Sequence, residues 1–129
     1  MSGMPANRWL VVCAVAEAIT GLALLLSPQL VVGLLLGAEL SRPGQVLGRL
    51  LGFALISLGL ACWPGREPAR GVRAPLPAML IYNLFAALYL GYVGIRGEEV
   101  GSLLWPAVAF HAVMTLMLFR PLLQTSRVK

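Results

Sequence analysis

Four strongly polar side chains lie inside long apolar stretches of this sequence, and they are its best candidates for chemistry. They are Glu17, Arg49, Asn83 and His111. An ionisable group inside an apolar helix is costly, so it normally faces neighbouring helices and finds a polar partner there. Glu17 close to His111 would supply an acid and a base for proton transfer, while Arg49 and Asn83 could position groups or stabilise charge.

The apolar stretches that carry these residues have the length of membrane-spanning helices. They cover approximately residues 9–26, 46–63, 76–95 and 103–119. A helix of about 20 apolar residues crosses a hydrocarbon core about 30 Å thick. Hydrophobic residues make up 59% of the chain and charged residues 12%, which is too few charges for a water-facing domain. The sequence therefore predicts an all-α integral membrane bundle of four transmembrane helices, formed as a single domain by residues 1–129.

The connection between the first and second spans contains a further helical segment. Residues 29–37 are apolar but too few to cross a membrane, which is typical of a helix lying at the interface. Pro28 ends the first span, and Gly37 ends the short segment. We expect a short interfacial helix that covers the outer end of the bundle.

Small residues indicate where the helices pack together. Gly48, Gly52 and Gly59 form a stripe in the second span, and such stripes let helix backbones approach closely in a membrane. We therefore expect Gly52→Leu to damage the fold far more than Leu55→Ala, on the view that Leu55 faces lipid. The first span has a small, partly polar face that we expect to point inward. Its members are Ala14, Glu17, Thr20, Gly21 and Leu24.

Basic residues are distributed unevenly between the two ends of the predicted spans. Three segments that share one side of a four-span chain carry Arg8, Arg66, Arg70, Arg73, Arg120, Arg127 and Lys129. The other side has only Arg42, Arg49 and Arg96 on or near it. This asymmetry predicts cytoplasmic N- and C-termini in a bacterial inner membrane. It also accounts for the net charge of +5 without a nucleic-acid partner.

The third span carries an aromatic stripe that adds two candidate ligand contacts. Tyr82, Phe85, Tyr89 and Tyr92 are spaced by three, four and three residues, so they share one side of a helix. Such a stripe suits packing and interfacial anchoring, and it also suits a flat wall for a sterol-like, quinone-like or aromatic ligand. The candidate ligand-binding residues are therefore Glu17, Arg49, Tyr82, Asn83, Tyr89 and His111.

The sequence contains no recognisable cofactor or metal site. Cys13, Cys62 and the single histidine lack the spacing of metal ligands, and there is no phosphate-binding glycine loop or nucleophile elbow. We expect no cofactor and no metal, and we interpret both cysteines as buried thiols. The expected surroundings are the lipid bilayer together with a homo-oligomer or a larger membrane complex.

The layout of the chain resembles the DoxX-like group of small four-helix bacterial membrane proteins. The residues that carry the resemblance are Glu17, the turn at Pro28 and the segment Q-V-L-G-R-L-L-G at residues 45–52. Some members are associated with quinone-linked oxidoreductase complexes, so the resemblance implies a quinone or a partner subunit. A weaker resemblance, carried by the helix count with Glu17 and His111, is to the sterol-isomerase-like four-helix fold.

Three functional hypotheses follow from these observations. The chain is an accessory subunit, a binder of a quinone-like or lipid-like molecule in a polar-lined intramembrane cavity, or an intramembrane enzyme. The enzyme would use Glu17 and His111 for isomerase-like or hydrolase-like acid–base chemistry on a lipid-like substrate. We further expect Glu17, Arg49 and His111 to line one interior cavity, with Asn83 at its cytoplasmic edge.

Overall fold

The computed structural model describes residues 4–63 and 76–125, and these residues are helical with no strand. This confirms the all-α prediction and the short helix after the first long one. The described helices are α1 (Met4–Leu26), α2 (Pro28–Leu36), α3 (Arg42–Ala61), α4 (Leu76–Arg96) and α5 (Leu104–Thr125). Three of them, α1 from Arg8 onwards, α3 and α4, are long and apolar enough to cross a membrane. The apolar part of α5, Leu104–Arg120, is shorter.

The long helices associate as two pairs with α1 at the centre. α1 packs mainly against α3, and α4 packs mainly against α5. The two pairs are joined because α1 also contacts α5 and, less extensively, α4. The short helix α2 lies against α1, α3 and α5. A side chain on the inner face of α1 can therefore reach every other long helix.

Glycines bring the backbones of α1 and α3 together. A Cβ atom added to Gly52 would lie 2.6 Å from the carbonyl oxygen of Gly21, and one added to Gly21 would lie 2.6 Å from that of Gly52. Farther along α3, a Cβ atom at Gly59 would lie 2.7 Å from the carbonyl oxygen of Ala14. Gly48, Gly52 and Gly59 are all buried. The packing role predicted for the glycine stripe is thus confirmed.

Two residues of these packing faces differ from the sequence prediction. Leu55 is only 4% exposed, so the expectation that it faces lipid is wrong. It lies three residues after Gly52 and four before Gly59, which places it on the same buried side of α3. Thr20 is exposed although the other predicted members of the inner face of α1 are buried, because it lies at the edge of that face.

A corner between α1 and α2 is held by the start of α3. Pro28 follows the end of α1, where it lacks the N–H that a continuing helix would need. A Cβ atom at Gly48 would lie 2.8 Å from the Cβ atom of Pro28. The next residue, Arg49, donates a hydrogen bond from Nε to the carbonyl oxygen of Leu25, with an N–O distance of 3.3 Å. The segment G-R-L-L-G at residues 48–52 therefore fastens α3 to this corner.

The end of the bundle at which α2 lies is closed by hydrogen bonds between α2 and the α4–α5 connection. α2 ends at Gly37, which has a left-handed backbone conformation with φ 68°. The N–H groups of Gly101 and Leu103 donate to the carbonyl oxygens of Leu35 and Leu34, at 3.0 and 2.8 Å. A side chain at Gly101 would collide with the Leu34 carbonyl. The expected interfacial helix is thus held by backbone contacts from a distant part of the chain.

Three helix boundaries differ from the predicted spans by four or more residues. α1 begins at Met4 instead of residue 9. α3 begins at Arg42 instead of residue 46, because the Ser41 side chain caps it by accepting from the Gly44 N–H at 3.3 Å. α5 continues to Thr125 instead of ending near residue 119. Pro121 removes one N–H donor from α5, but its fixed φ remains compatible with a helix.

Candidate functional site

Five side chains from three helices form a group at the centre of the bundle, which we call the polar cluster. Its members are Cys13 and Glu17 of α1, Tyr82 and Asn83 of α4, and His111 of α5. Cys13 and Asn83 are fully buried, and Glu17 is only 2% exposed. Cys13 lies four residues before Glu17 and therefore on the same side of α1.

Asn83 connects the three helices of the polar cluster. Its Nδ2 atom donates to the carbonyl oxygen of Met79 at 2.8 Å and lies 3.8 Å from the Cys13 sulfur, which accepts a weaker hydrogen bond. Its Oδ1 atom lies 2.9 Å from Nδ1 of His111. A buried amide is stable only when its donors and acceptor are paired, and here all of them are. Asn83 is thus the structural centre of the polar cluster.

Glu17 has a tyrosine partner instead of a cation. The Tyr82 hydroxyl is within hydrogen-bonding reach of the Glu17 carboxyl group. Within residues 4–63 and 76–125, no cation lies close enough to Glu17 to form an ion pair. The ion pair found there joins Arg96 to Glu98 at 3.0 Å, on an exposed surface at the C-terminal end of α4. Among the described residues, the polar neighbour of Glu17 is therefore the Tyr82 hydroxyl.

His111 contacts two aromatic rings that are nearly perpendicular to it, and it keeps one nitrogen unpaired. Its ring centroid lies 5.7 Å from that of Tyr82 and 5.5 Å from that of Phe110, with interplanar angles of 82° and 76°. Nδ1 is engaged by Asn83, which is the ring's hydrogen bond to a described residue, and Nε2 has no such bond. The side chain is partly exposed. His111 therefore has a fixed orientation and one nitrogen available to another molecule.

Arg49 lies outside the polar cluster, so the prediction that it lines the same cavity as Glu17 is wrong. Its side chain is exposed and hydrogen-bonds to the carbonyl oxygen of Leu25. Leu25 is eight residues beyond Glu17 on α1, a rise of about 12 Å. The carbonyl groups at the end of a helix lack partners within the helix and carry partial negative charge, so a nearby guanidinium is favourable there. Arg49 caps α1 instead of serving the cluster.

The aromatic stripe of α4 divides into one inward and three outward residues. Tyr82 is partly buried and belongs to the polar cluster. Phe85, Tyr89 and Tyr92 are 63%, 69% and 58% exposed. Tyr89, a predicted ligand contact, therefore lies on the outer surface of α4, where it suits interfacial anchoring. Asn83 also differs in position, because it lies at the centre of the cluster and not at its edge.

Two neighbours of the predicted site residues were not identified from the sequence as parts of the site. Cys13 accepts a hydrogen bond from Asn83, and its spacing of four residues before Glu17 was a usable signal. Phe110 packs its ring against His111, and no sequence pattern indicates this contact. Among the described residues, no group of three or more His, Cys, Asp and Glu side chains could hold a metal ion.

Comparisons of this chain with protein-family models, with curated proteins and with solved structures gave no match. A fold alone does not determine a function, which depends on the chemistry of particular side chains. We therefore derive the function from the polar cluster. Its groups can donate, accept and exchange protons within an otherwise apolar bundle.

Proposed function

We propose that this chain is a small four-span membrane protein of DoxX-like type that binds a lipid-like or quinone-like molecule at the polar cluster. The observation that carries this proposal is the unpaired Nε2 atom of His111 on a partly exposed ring. Polar atoms inside proteins are normally paired, so an oriented but unpaired nitrogen suits a ligand contact. The rings of Tyr82 and Phe110 provide apolar surface next to the imidazole.

Apolar and polar contacts would contribute differently to binding at such a site. One hydrogen bond contributes only about 0.5–1.5 kcal/mol of net stability. Most of the affinity would therefore come from apolar contacts with the tail or ring, and the polar cluster would fix the position of the head group. A molecule with a polar head and a long apolar tail meets both requirements, and it is already concentrated in the bilayer.

This proposal is tested by identifying the small molecules that remain with the purified protein. The protein would be isolated in native-lipid discs and extracted for mass spectrometry, as wild type and as His111→Leu. We expect one lipid-like or quinone-like species to be enriched with the wild type and reduced about three- to tenfold in the variant. The matched control is Val113→Leu, because Val113 is 45% exposed on α5 and lies outside the polar cluster.

Identical extracts from wild type and His111→Leu, with no species enriched over the bulk membrane, would rule out a ligand at the polar cluster. A larger protein complex that co-purifies stoichiometrically while no small molecule is enriched would support the accessory-subunit function instead. The same preparation therefore separates the two proposals.

A second candidate function is acid–base catalysis on the bound molecule, favoured because Glu17 and His111 both contact Tyr82. On this hypothesis Glu17→Gln abolishes chemical conversion of the ligand but leaves ligand content and thermal stability unchanged. The amide oxygen can still accept from Tyr82, but an amide cannot exchange a proton at neutral pH. Mass spectrometry would compare substrate and product in both proteins. Conversion by the variant at the wild-type rate would exclude Glu17 as the proton-transfer group.

We also propose that α5 is the fourth span and that both termini lie in the cytoplasm of a bacterial inner membrane. The support is the uneven distribution of basic residues between the two ends of the bundle. Among the described residues, Arg8 and Arg120 lie at one end of the helices, and Arg42 and Arg96 lie at the other. The remaining basic residues of the cytoplasmic group, Arg66, Arg70, Arg73, Arg127 and Lys129, lie outside the described residues.

The topology is tested by cysteine labelling of intact cells with a membrane-impermeant reagent. We expect Glu98→Cys to be labelled from outside, and Arg120→Cys to be labelled only after the membrane is permeabilised. Cys13 and Cys62 are buried, which keeps the background low. Labelling of Glu98→Cys from the cytoplasmic side alone would reverse the proposed orientation.

A further inference from the structure

The hydrogen bonds of Asn83 determine which way its side-chain amide faces. A backbone carbonyl can only accept, and the Met79 oxygen lies 2.8 Å from Nδ2. The reversed amide would place two acceptor oxygens against each other at this distance. It would also remove the donor from the Cys13 sulfur at 3.8 Å. Nδ2 therefore faces Met79 and Cys13, and Oδ1 faces His111.

The orientation of Asn83 in turn determines the protonation pattern of the His111 ring. Oδ1 can only accept, so the Nδ1 atom 2.9 Å away must carry the hydrogen. In a neutral imidazole the other nitrogen then has no hydrogen and accepts. A doubly protonated ring would place a second N–H at Nε2, and the ring's hydrogen bond to a described residue is the one at Nδ1. It would also place a positive charge, which no described residue balances in an ion pair, inside an apolar bundle.

The other hydrogen-bond donors of the polar cluster are already in use. Asn83 donates to Met79 and Cys13, and the Tyr82 hydroxyl lies within hydrogen-bonding reach of the Glu17 carboxyl group. The ring of His111 thus presents an acceptor, its Nε2 atom, to a ligand. Neither Asn83 nor Tyr82 has a free donor that could bind a carbonyl group of that ligand. A carbonyl head group would bring one acceptor against another, whereas a hydroxyl head group would donate to Nε2.

We infer that His111 is a selectivity residue whose Nε2 acceptor favours lipid-like molecules with a hydroxyl head group over those with a carbonyl head group. This inference rests on the proposed binding function and specifies the chemical class of the ligand. Hydroquinones and long-chain lipid alcohols share the required chemistry. Asn83 is the positioning residue, because it acts on the ligand only through the tautomer of His111.

The first part of the test measures the tautomer directly. His111 is the only histidine of the chain, so a protein labelled with ¹⁵N-histidine gives the signals of a single ring. At neutral pH we expect a protonated Nδ1 and an unprotonated, pyridine-like Nε2. An Nε2-protonated ring would overturn the inference whatever ligand binds.

The second part compares the binding of two matched pairs of probes to the protein in lipid discs. One pair is a decyl-substituted benzoquinone and its hydroquinone, and the other is farnesal and its alcohol farnesol. We expect the hydroxyl form to bind about tenfold more tightly within at least one pair, because an acceptor left without a donor is costly. The pair that shows the preference distinguishes a hydroquinone from a lipid alcohol.

Two further outcomes separate the inference from the proposed function. Equal or tighter binding of the carbonyl forms would overturn the inference while supporting a ligand site at the polar cluster. If none of the four probes bound and no lipid-like species were enriched with the purified protein, both the proposed function and the inference would be wrong.

Discussion

Replacing Gly52 by leucine is expected to force α1 and α3 apart and to lower the free energy of unfolding by about 3 kcal/mol. Even a Cβ atom at this position would lie 2.6 Å from the backbone oxygen of Gly21, and 3.2 Å from side-chain atoms of Leu24 and Leu25. A backbone atom in a helix cannot move aside as a flexible side chain can. The cost of such overpacking is typically about 1–3 kcal/mol, and contact with backbone places this variant at the upper end.

The measurement is thermal unfolding in detergent, followed by circular dichroism, with Gly33→Leu as the matched control. Gly33 also lies in a helix, but a Cβ atom there would meet nothing within 4 Å, so we expect little change. Gly52→Ala should fall between the two leucine variants, since it adds only the first clashing atom. Equal unfolding midpoints for wild type and Gly52→Leu would show that the α1–α3 contact is looser than described.

The second large effect is expected for Asn83→Leu, which removes the centre of the polar cluster. The leucine would leave Nδ1–H of His111 and the Cys13 sulfur without their present partner. A buried donor without an acceptor costs about 1–3 kcal/mol. We therefore expect the free energy of unfolding to fall by about 2–3 kcal/mol, measured in detergent.

A double variant distinguishes this loss of partner from a simple loss of packing. In Asn83→Leu with His111→Leu both polar partners are replaced by apolar side chains, so part of the stability should return. Ser57→Ala is the control, because it removes a hydrogen bond within one helix, to the Phe53 carbonyl at 2.8 Å, on an exposed surface. If the double variant were less stable than Asn83→Leu, the unpaired Nδ1–H of His111 would not be the cause of the lost stability.

The elements of the fold were predictable because each is indicated by local sequence. Apolar stretches of sufficient length predicted the long helices, Pro28 and Gly37 predicted the boundaries of the short one, and the glycine stripe predicted close packing. These features depend on helical periodicity and on backbone chemistry, which neighbouring residues determine. The same reasoning placed Asn83 and His111 inside the bundle.

The partners within the site were less predictable, because they depend on how helices are rotated and shifted against each other. Arg49 follows Gly48 directly, so it is turned by about 100° from the packing stripe. Its long side chain then reaches the end of α1 and not Glu17. Tyr82 and Asn83 are adjacent in sequence, yet their polar partners lie on different helices. The partner of Tyr82 is Glu17 on α1, and the partner of Asn83 is His111 on α5. Apolar periodicity contains no information about such offsets.

The backbone hydrogen bonds that hold α2 have a consequence for the order in which the protein assembles. Leu35 and Gly101 are bonded to each other although they are 66 positions apart in the chain. At ribosomal speeds of about 5–20 residues per second, roughly 3 to 13 seconds separate their synthesis. During this interval the last carbonyl groups of α2 have no partner from the α4–α5 connection. This end of the bundle is therefore completed only after the α4–α5 connection has been made, and a nascent chain arrested before that point would still have it open.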